Sequence, residues 1–189
     1  YLSEEDARKV LRCYQRDIAH FIHVQMQEHY WEDAAGYEVK ISKGFTELKP
    51  SAYTLPAEQP LADYRVAPAD KSNMARYLFD GFERCLYPVQ KFDSDAERKL
   101  AVILERDALR WFKPARGQFQ IIYRNGADHL EYQPDFVAEA GDTIYMLEPK
   151  MRKELDDPVV LTKKEAAIEW CRNASEHAAS YSGKPWRYV

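Results

Sequence analysis

The positions on both sides of Gly141-Asp142 are mostly apolar, β-branched or aromatic, which predicts a β-hairpin in the second half of the chain. Glycine at the first central position of a two-residue turn is a strong hairpin signal. If Ala140 pairs with Thr143 across the turn, Asp135 lies directly opposite Glu148. Opposed side chains share one sheet face, with Cβ atoms about 4.5–5.5 Å apart. The hairpin therefore predicts two carboxylates side by side.

Apolar residues recur at helical spacing in four other segments, 3–30, 72–87, 94–111 and 162–178. Each segment begins at a serine or threonine, residues that cap helix N-termini. The first segment predicts one long amphipathic helix. Its histidines His20, His23 and His29 are interpreted as solvated or packed, because the spacing brings no carboxylate partner into register with them.

Further short runs predict strands at 37–41, 45–48, 119–123 and 186–189. Between residues 49 and 68 there are four prolines and no clear period, which predicts an extended connection. The expected fold class is α/β. Residues 91–189 form a layer in the order helix, three strands, helix, strand, and residues 1–90 form a mainly helical N-terminal extension.

The predicted hairpin brings a third charged group to the two carboxylates. Lys150 lies two residues after Glu148 and shares its face by the period of two. Ile144 and Met146 on that face are apolar, so the charges lie at the end of an apolar surface, where unpaired burial is costly. Opposed carboxylates with open coordination positions suit Mg²⁺, with Mn²⁺ as an alternative. The pattern indicates metal-assisted phosphodiester hydrolysis.

Three neighbouring residues extend this candidate site. Glu97 lies three residues after Ser94, so it either closes a capping box or turns toward the sheet as a further acidic residue. Pro149 removes a ladder N–H, which predicts a strand end or bulge there and leaves its carbonyl as a metal ligand. Lys163, one turn before the apolar stripe of the last helix, is the basic residue expected to meet a phosphate.

The composition narrows the class of function. A net charge of −4 argues against a free-standing basic nucleic-acid binder, although a nuclease that grips DNA through other parts remains compatible. Three widely spaced cysteines support neither a disulfide framework nor a zinc ribbon, and they fit a reducing cytoplasm. No apolar run approaches the roughly 18 residues of a membrane span, and no P-loop is present. A start at Tyr1 suggests a piece of a longer polypeptide.

Pro134-Asp135, followed after a dozen residues by Glu148-x-Lys150, resembles the signature of PD-(D/E)XK nucleases. The resemblance covers roughly residues 87–189. It is similar in particular to the C-terminal nuclease domain of type III restriction enzyme Res subunits and related DEAD/DEAH-type helicase–nucleases. The flanking segments that carry it are Phe92 to Glu97, Trp111-Phe112, Tyr132 to Phe136, and Lys163 through Trp170-Cys171.

The resemblance implies a restriction-endonuclease-like core in residues 91–189 whose last strand is truncated. It implies that Asp135 and Glu148, with Glu97 and the Pro149 carbonyl, hold Mg²⁺. Lys150 would orient or deprotonate the nucleophile, or stabilise the pentavalent transition state, and these roles stay open.

Residues 1–90 would then be a linking region of a larger helicase–nuclease, and Lys163 would contact DNA. The expected partners are DNA, the motor domain of the same polypeptide, and a modification–specificity subunit, in a bacterial or archaeal cytoplasm; no membrane partner is expected. The alternative is a nuclease-fold module that binds DNA or a protein partner without cutting.

Overall fold

The computed structural model describes residues 3–29, 47–54, 59–125, 128–150 and 157–189. The chain divides into two compact units, one of Tyr1–Glu38 with Arg124–Leu130 and one of Val39–Tyr123 with Glu131–Val189. In the described ranges the helices are α1 (Glu4–Cys13), α2 (Gln15–Glu28), α3 (Asp95–Asp107) and α4 (Pro158–Ala179), with a 3₁₀ helix at Lys71–Arg76. The strands are β1 (Ala62–Asp63), β2 (Leu78–Asp80), β3 (Gln90–Lys91), β4 (Arg110–Phe112), β5 (Ile121–Asn125), β6 (Asp128–Tyr132), β7 (Phe136–Ala140), β8 (Thr143–Leu147) and β9 (Trp186–Tyr188).

The first unit contains two helices where the sequence predicts one. Ser3 caps α1 as expected, accepting a hydrogen bond from the backbone N–H of Asp6 at 3.2 Å. Tyr14 then leaves the helical region, with φ −114° and ψ 20°. Its backbone N–H donates to the Val10 carbonyl at the end of α1, and its carbonyl accepts from the Ile18 N–H at the start of α2. The prediction of one continuous helix is therefore wrong, because side-chain spacing records which face is apolar and does not record a one-residue change of backbone angle.

A four-stranded sheet in the order β4-β7-β8-β9 forms the centre of the second unit. The hairpin register is confirmed, since Ala140 pairs with Thr143 and Phe136 with Leu147. The predicted final strand is also confirmed as β9, which runs parallel to β8. Successive residues of β7 face opposite sides of this sheet, which gives the sheet two packed faces.

Each face of the sheet is covered by one helix. Phe136 and Ala138 belong to a hydrophobic cluster with residues of α3, whereas Val137 belongs to a second cluster with Ala167 and Cys171 of α4. The α/β class predicted from the sequence is thus confirmed. Helix α4 begins earlier than the predicted Thr162, because the Asp157 side chain accepts hydrogen bonds from the first free N–H groups.

The first strand of the sheet differs from the prediction. Trp111 was expected on the helix that begins at Ser94, but α3 ends at Asp107 and Trp111 lies in β4, paired with Ala138. The predicted strand 119–123 becomes β5, which pairs with β6 in a separate two-stranded sheet. Trp111 is fully buried, and its indole N–H donates to Glu105 of α3 at 2.7 Å. It packs beside α3 although it lies in the strand, and its position in the sequence matches the apolar spacing of that helix. Five strands, β4 to β8, lie between α3 and α4, and three of them, β4, β7 and β8, belong to the central sheet.

The helix predicted from Ser72 is also wrong. Asp70, rather than Ser72, caps a short 3₁₀ helix, and the chain then forms the strand β2. Gly81 follows with φ +83°, a left-handed conformation that is incompatible with a continuing right-handed helix. Gly81 therefore lies directly after the end of β2, and it does not lie inside a helix.

The segment predicted as an extended connection, residues 49–68, contributes Tyr64 to the core, and the residues after it contribute more. Tyr64, Met74 and Phe79 are buried in one cluster with Phe92 and Trp111. Side chains from both sides of residue 90 therefore share one core, and the predicted domain boundary near residue 90 falls inside the second unit. The hairpin predicted at 37–48 lies outside the described residues except for its last two positions. Among the described helices, none is both long and apolar enough to cross a bilayer.

Candidate active site

The β7–β8 hairpin brings Asp135, Glu148 and Lys150 together just beyond its last paired residues, Phe136 and Leu147. The backbone N–H of Asp135 donates to Oε2 of Glu148 at 3.3 Å. Nζ of Lys150 lies 2.8 Å from Oε1 of Glu148, whose side chain is only 8% exposed. The proximity predicted from the hairpin register is confirmed, because a turn and a period of two suffice to set it.

Two tyrosines surround Glu148. The Tyr132 hydroxyl donates to Oε2 of Glu148 at 2.8 Å, and the Glu148 backbone N–H donates to the carbonyl of Val189 beyond β9. Burial, followed by the nearby Glu148 charge, raises the pKa of Tyr132 above its usual range. The same two causes raise the pKa of Tyr188 to about 12. Both phenols therefore stay protonated at neutral pH, and Tyr132 acts as a hydrogen-bond donor that holds the carboxylate.

Glu97 lies in the first turn of α3, and its side chain is almost entirely buried. Its N–H donates to the Ser94 hydroxyl oxygen at 3.2 Å, and its Oε2 accepts from the backbone N–H of Asp93 at 3.2 Å. The capping interpretation is thus confirmed, with the N–H of Asp93 as the donor in place of that of Ser94. Oε2 of Glu97 also forms an ion pair with Lys113.

Lys113 is a site residue that sequence reasoning missed. Its side chain is 15% exposed, and its Nζ contacts Glu97 and lies 3.9 Å from Oδ2 of Asp93. The ammonium also lies 5.4 Å from the ring centroid of Phe136 and 5.8 Å from that of Phe92. An ammonium so desolvated is stabilised by its carboxylate partner and by the two aromatic faces.

A signal for Lys113 was present in the sequence. It is the first polar residue after Trp111-Phe112, and a charged side chain directly after an apolar strand lies at a sheet edge. The helical assignment of Trp111 concealed this, because the residue then followed a helix end.

Glu97, Asp135 and Glu148, with their cations Lys113 and Lys150, form the carboxylate cluster. Burial raises the pKa of Asp135 to about 7, and the charges of Glu148 and Glu97 act in the same direction. Lys113 and Lys150 oppose this shift without cancelling it. The cluster therefore holds more negative charge than its two lysines neutralise, which is a common property of functional sites.

The donor set fits a hard divalent cation. Asp135 and Glu148 supply carboxylate oxygens, the ligand type that Mg²⁺ prefers. Across the described part of the chain, no three His, Cys, Asp or Glu side chains already stand in a metal-binding arrangement. Glu97 in particular is engaged by Lys113.

The two remaining predicted residues have different outcomes. β8 ends at Leu147, so Pro149 lies beyond the strand, which agrees with the predicted strand end. A ligand role for its carbonyl stays a prediction. Lys163 of α4 places its Nζ 5.4 Å from the ring centroid of Tyr123. Its DNA contact stays a prediction.

Comparison with known proteins assigns no family to this geometry. No family model matches the sequence, no curated protein is significantly similar to it, and no solved structure matches it significantly. The chemistry of the carboxylate cluster therefore has to be inferred from its own residues.

Proposed function

We propose that this chain is the Mg²⁺-dependent DNA endonuclease domain of a helicase–nuclease that resembles type III restriction enzymes. The observation that carries the proposal is the convergence of Asp135, Glu148 and Lys150 at the open end of one hairpin, with an Asp135 carboxyl whose pKa is raised to about 7. A central sheet of β4, β7, β8 and β9, with α3 on one face and α4 on the other, supports a restriction-endonuclease-like core.

Asp135 and Glu148 are the residues that would hold the cation, with Glu97 available if Lys113 releases it. When bound, Mg²⁺ lowers the pKa of a coordinated water and neutralises charge on the scissile phosphate. The protein's own residues prepare this site. Tyr132 and the Asp135 backbone N–H fix Oε2 of Glu148, so the carboxylate has one defined orientation before any substrate arrives.

Lys150 acts beside these ligands as a cation. Its Nζ lies 2.8 Å from Oε1 of Glu148, so its positive charge is held beside the proposed ligands. This favours electrostatic stabilisation of the pentavalent transition state over proton abstraction from the nucleophile. Lys150 would therefore compensate charge that develops on the phosphate during the reaction.

The wider assembly follows from the resemblance. The substrate is DNA, and the partners are a motor domain of the same polypeptide and a modification–specificity subunit in a bacterial or archaeal cytoplasm. The chain contains no P-loop of its own, so movement along DNA would depend on that motor.

A second candidate function is a nuclease-fold module that binds DNA or a partner without cutting. One observation favours it: Glu97 pairs with Lys113 and Glu148 pairs with Lys150, so two of the three carboxylates already have an internal cation. Such pairs stabilise a cluster that never meets a metal. The two functions differ in whether a divalent cation makes the protein cut.

A nicking assay on supercoiled plasmid separates the two functions. Wild type should nick in Mg²⁺ and not in EDTA, while Asp135→Ala and Glu148→Ala should be inactive, because each removes a proposed ligand. Asp142→Asn, at the exposed far end of the same hairpin, is the matched control and should cut like wild type. Cutting by either cluster variant at the wild-type rate would refute the proposed ligands.

A further inference from the structure

A groove outside the carboxylate cluster is lined by residues 49–53 on one side and 114–116 on the other. It contains two exposed cations, Lys49 and Arg116, and the ring of Tyr53, which is 36% exposed. Within the described ranges, neither cation forms an ion pair with a carboxylate. Other basic side chains of the second unit, such as Lys113 and Lys150, form ion pairs with carboxylates.

The position of Lys49 is built into the fold. Its backbone N–H donates to the Gln118 side chain at 2.7 Å, and its carbonyl accepts from the Tyr87 hydroxyl at 2.6 Å. A Cβ placed on Gly117 would lie only 3.0 Å from the Lys49 Nζ. Gly117 also has φ +73°, so glycine both permits the backbone turn and leaves room for the ammonium.

One side chain connects this groove to the carboxylate cluster. Gln133 accepts a hydrogen bond from the Gly117 N–H at 3.2 Å and donates to the Pro114 carbonyl at 2.7 Å. It lies two residues before Asp135, and Pro114 directly follows Lys113. The groove is therefore attached to the cluster through two chain segments, and a ligand in the groove lies beside them.

We propose that this groove binds the phosphodiester backbone of a single nucleic-acid strand, with Tyr53 as a stacking surface for a base. A polyanion is repelled by the carboxylate cluster and by the net charge of −4, so binding requires local cations without carboxylate partners. A positively charged groove beside an exposed aromatic ring is typical of proteins that bind single strands. The Tyr53 hydroxyl donates to Gln90 at 3.3 Å, which limits rotation of the ring.

This inference rests on the proposed DNA substrate, but it does not depend on cleavage. It can therefore be measured in EDTA, by fluorescence anisotropy of a labelled single-stranded oligonucleotide with the 189-residue chain. The groove variant is Lys49→Glu/Arg116→Glu. Its matched control is Arg76→Glu/Arg187→Glu, which makes the same change of net charge at exposed positions that do not line the groove.

The groove variant should bind at least about tenfold more weakly than the control. Its plot of log K against log salt should be shallower by about 1.4, because each lost phosphate contact removes roughly 0.7 from the slope on single strands. Tyr53→Leu should weaken single-strand binding about tenfold, as loss of one stacked base does. Tyr53→Phe, which keeps the ring and loses only the hydroxyl bond to Gln90, should bind the strand more tightly than Tyr53→Leu.

Four results would overturn the inference: no binding by wild type, equal losses in the groove and control variants, a duplex affinity that falls as much as the single-strand affinity, or displacement of the strand by poly-glutamate at equal charge. Asp135→Asn separates this inference from the proposed function, because it should bind the strand in EDTA and fail to nick plasmid in Mg²⁺. Loss of binding in the groove variant supports the groove even if wild type never cuts. Metal-dependent nicking with unchanged binding in the groove variant supports the nuclease and rejects the groove.

Discussion

The pKa of Asp135 makes the stability of the metal-free protein depend on pH near neutrality. The carboxyl titrates at about 7 in the folded state against an ordinary value of 3.8. The folded state therefore holds this proton more tightly than the unfolded chain does. The free energy of unfolding declines as pH rises from about 4 through 7, and the full loss is present above that range.

Asp135→Asn removes that loss. In EDTA at pH 8 the variant should be more stable than wild type by roughly 1 to 3 kcal/mol, and the difference should vanish near pH 4, where the wild-type carboxyl is protonated. Thermal denaturation followed by circular dichroism across this pH range measures it, with Asp142→Asn as the control. A difference that stays constant with pH would show that Asp135 is not the titrating group.

Lys113→Met tests the internal cation of the carboxylate cluster. The change leaves the nearly buried Glu97 without its ion-pair partner, so the metal-free protein should lose about 2 to 4 kcal/mol. Millimolar Mn²⁺ should recover more of this stability in the variant than it adds to wild type, because Glu97 is then free to meet a cation. Urea denaturation with and without Mn²⁺ gives both quantities.

Lys113→Arg is the control for this experiment, since it keeps the charge and should behave like wild type in both buffers. If Mn²⁺ stabilises Lys113→Met no more than wild type, Lys113 does not compete with a metal ion at Glu97.

At the scale of elements, the last turn of α3 holds the connection between β2 and β3. The Glu105 carboxylate accepts hydrogen bonds from the backbone N–H groups of Glu83, Arg84 and Cys85 at 2.9 to 3.2 Å. It also accepts the Trp111 indole N–H at 2.7 Å. One side chain thus satisfies four donors, and two of them, from Cys85 and Trp111, are partly buried and would be costly to leave unpaired.

Glu105→Ala should therefore destabilise the protein by about 2 to 4 kcal/mol, well above the effect of an ordinary surface change. Glu176→Ala on α4 is the matched control, because its carboxylate makes only an exposed ion pair with Arg172, and it should change stability by less than about 0.5 kcal/mol. Chemical denaturation of both variants measures the two changes in the free energy of unfolding. Equal small effects would mean that solvent replaces the carboxylate at these donors.

At the scale of the whole molecule, we expect the isolated chain to cut DNA weakly and without sequence preference. Its net charge is −4, whereas phosphate contacts from Lys and Arg normally supply most non-specific affinity. Cleavage of random-sequence plasmid by this chain should be compared with cleavage by the assembled enzyme plus ATP. Rapid cutting at a defined sequence by the chain alone would contradict a division of labour with a motor and a specificity subunit.

Local patterns in the sequence determined the central hairpin and the residues at its open end. The turn at Gly141-Asp142 and the period of two set the register, and that register places Asp135 beside Glu148. The capped start of α3 at Ser94 was equally predictable, because a cap involves neighbours three residues apart. These features depend on interactions close in sequence, so the sequence carries them directly.

Only the tertiary structure decided which segments join the core and which cations face the carboxylates. Trp111 has helical spacing, yet pairing with Ala138 and the bond to Glu105 place it in a strand. That change puts Lys113 beside Glu97, and the bonds of Gln133 bring the loop after Lys113 to the segment before Asp135. Contacts between residues far apart in sequence have no periodic signature, and only the packed core selects among them.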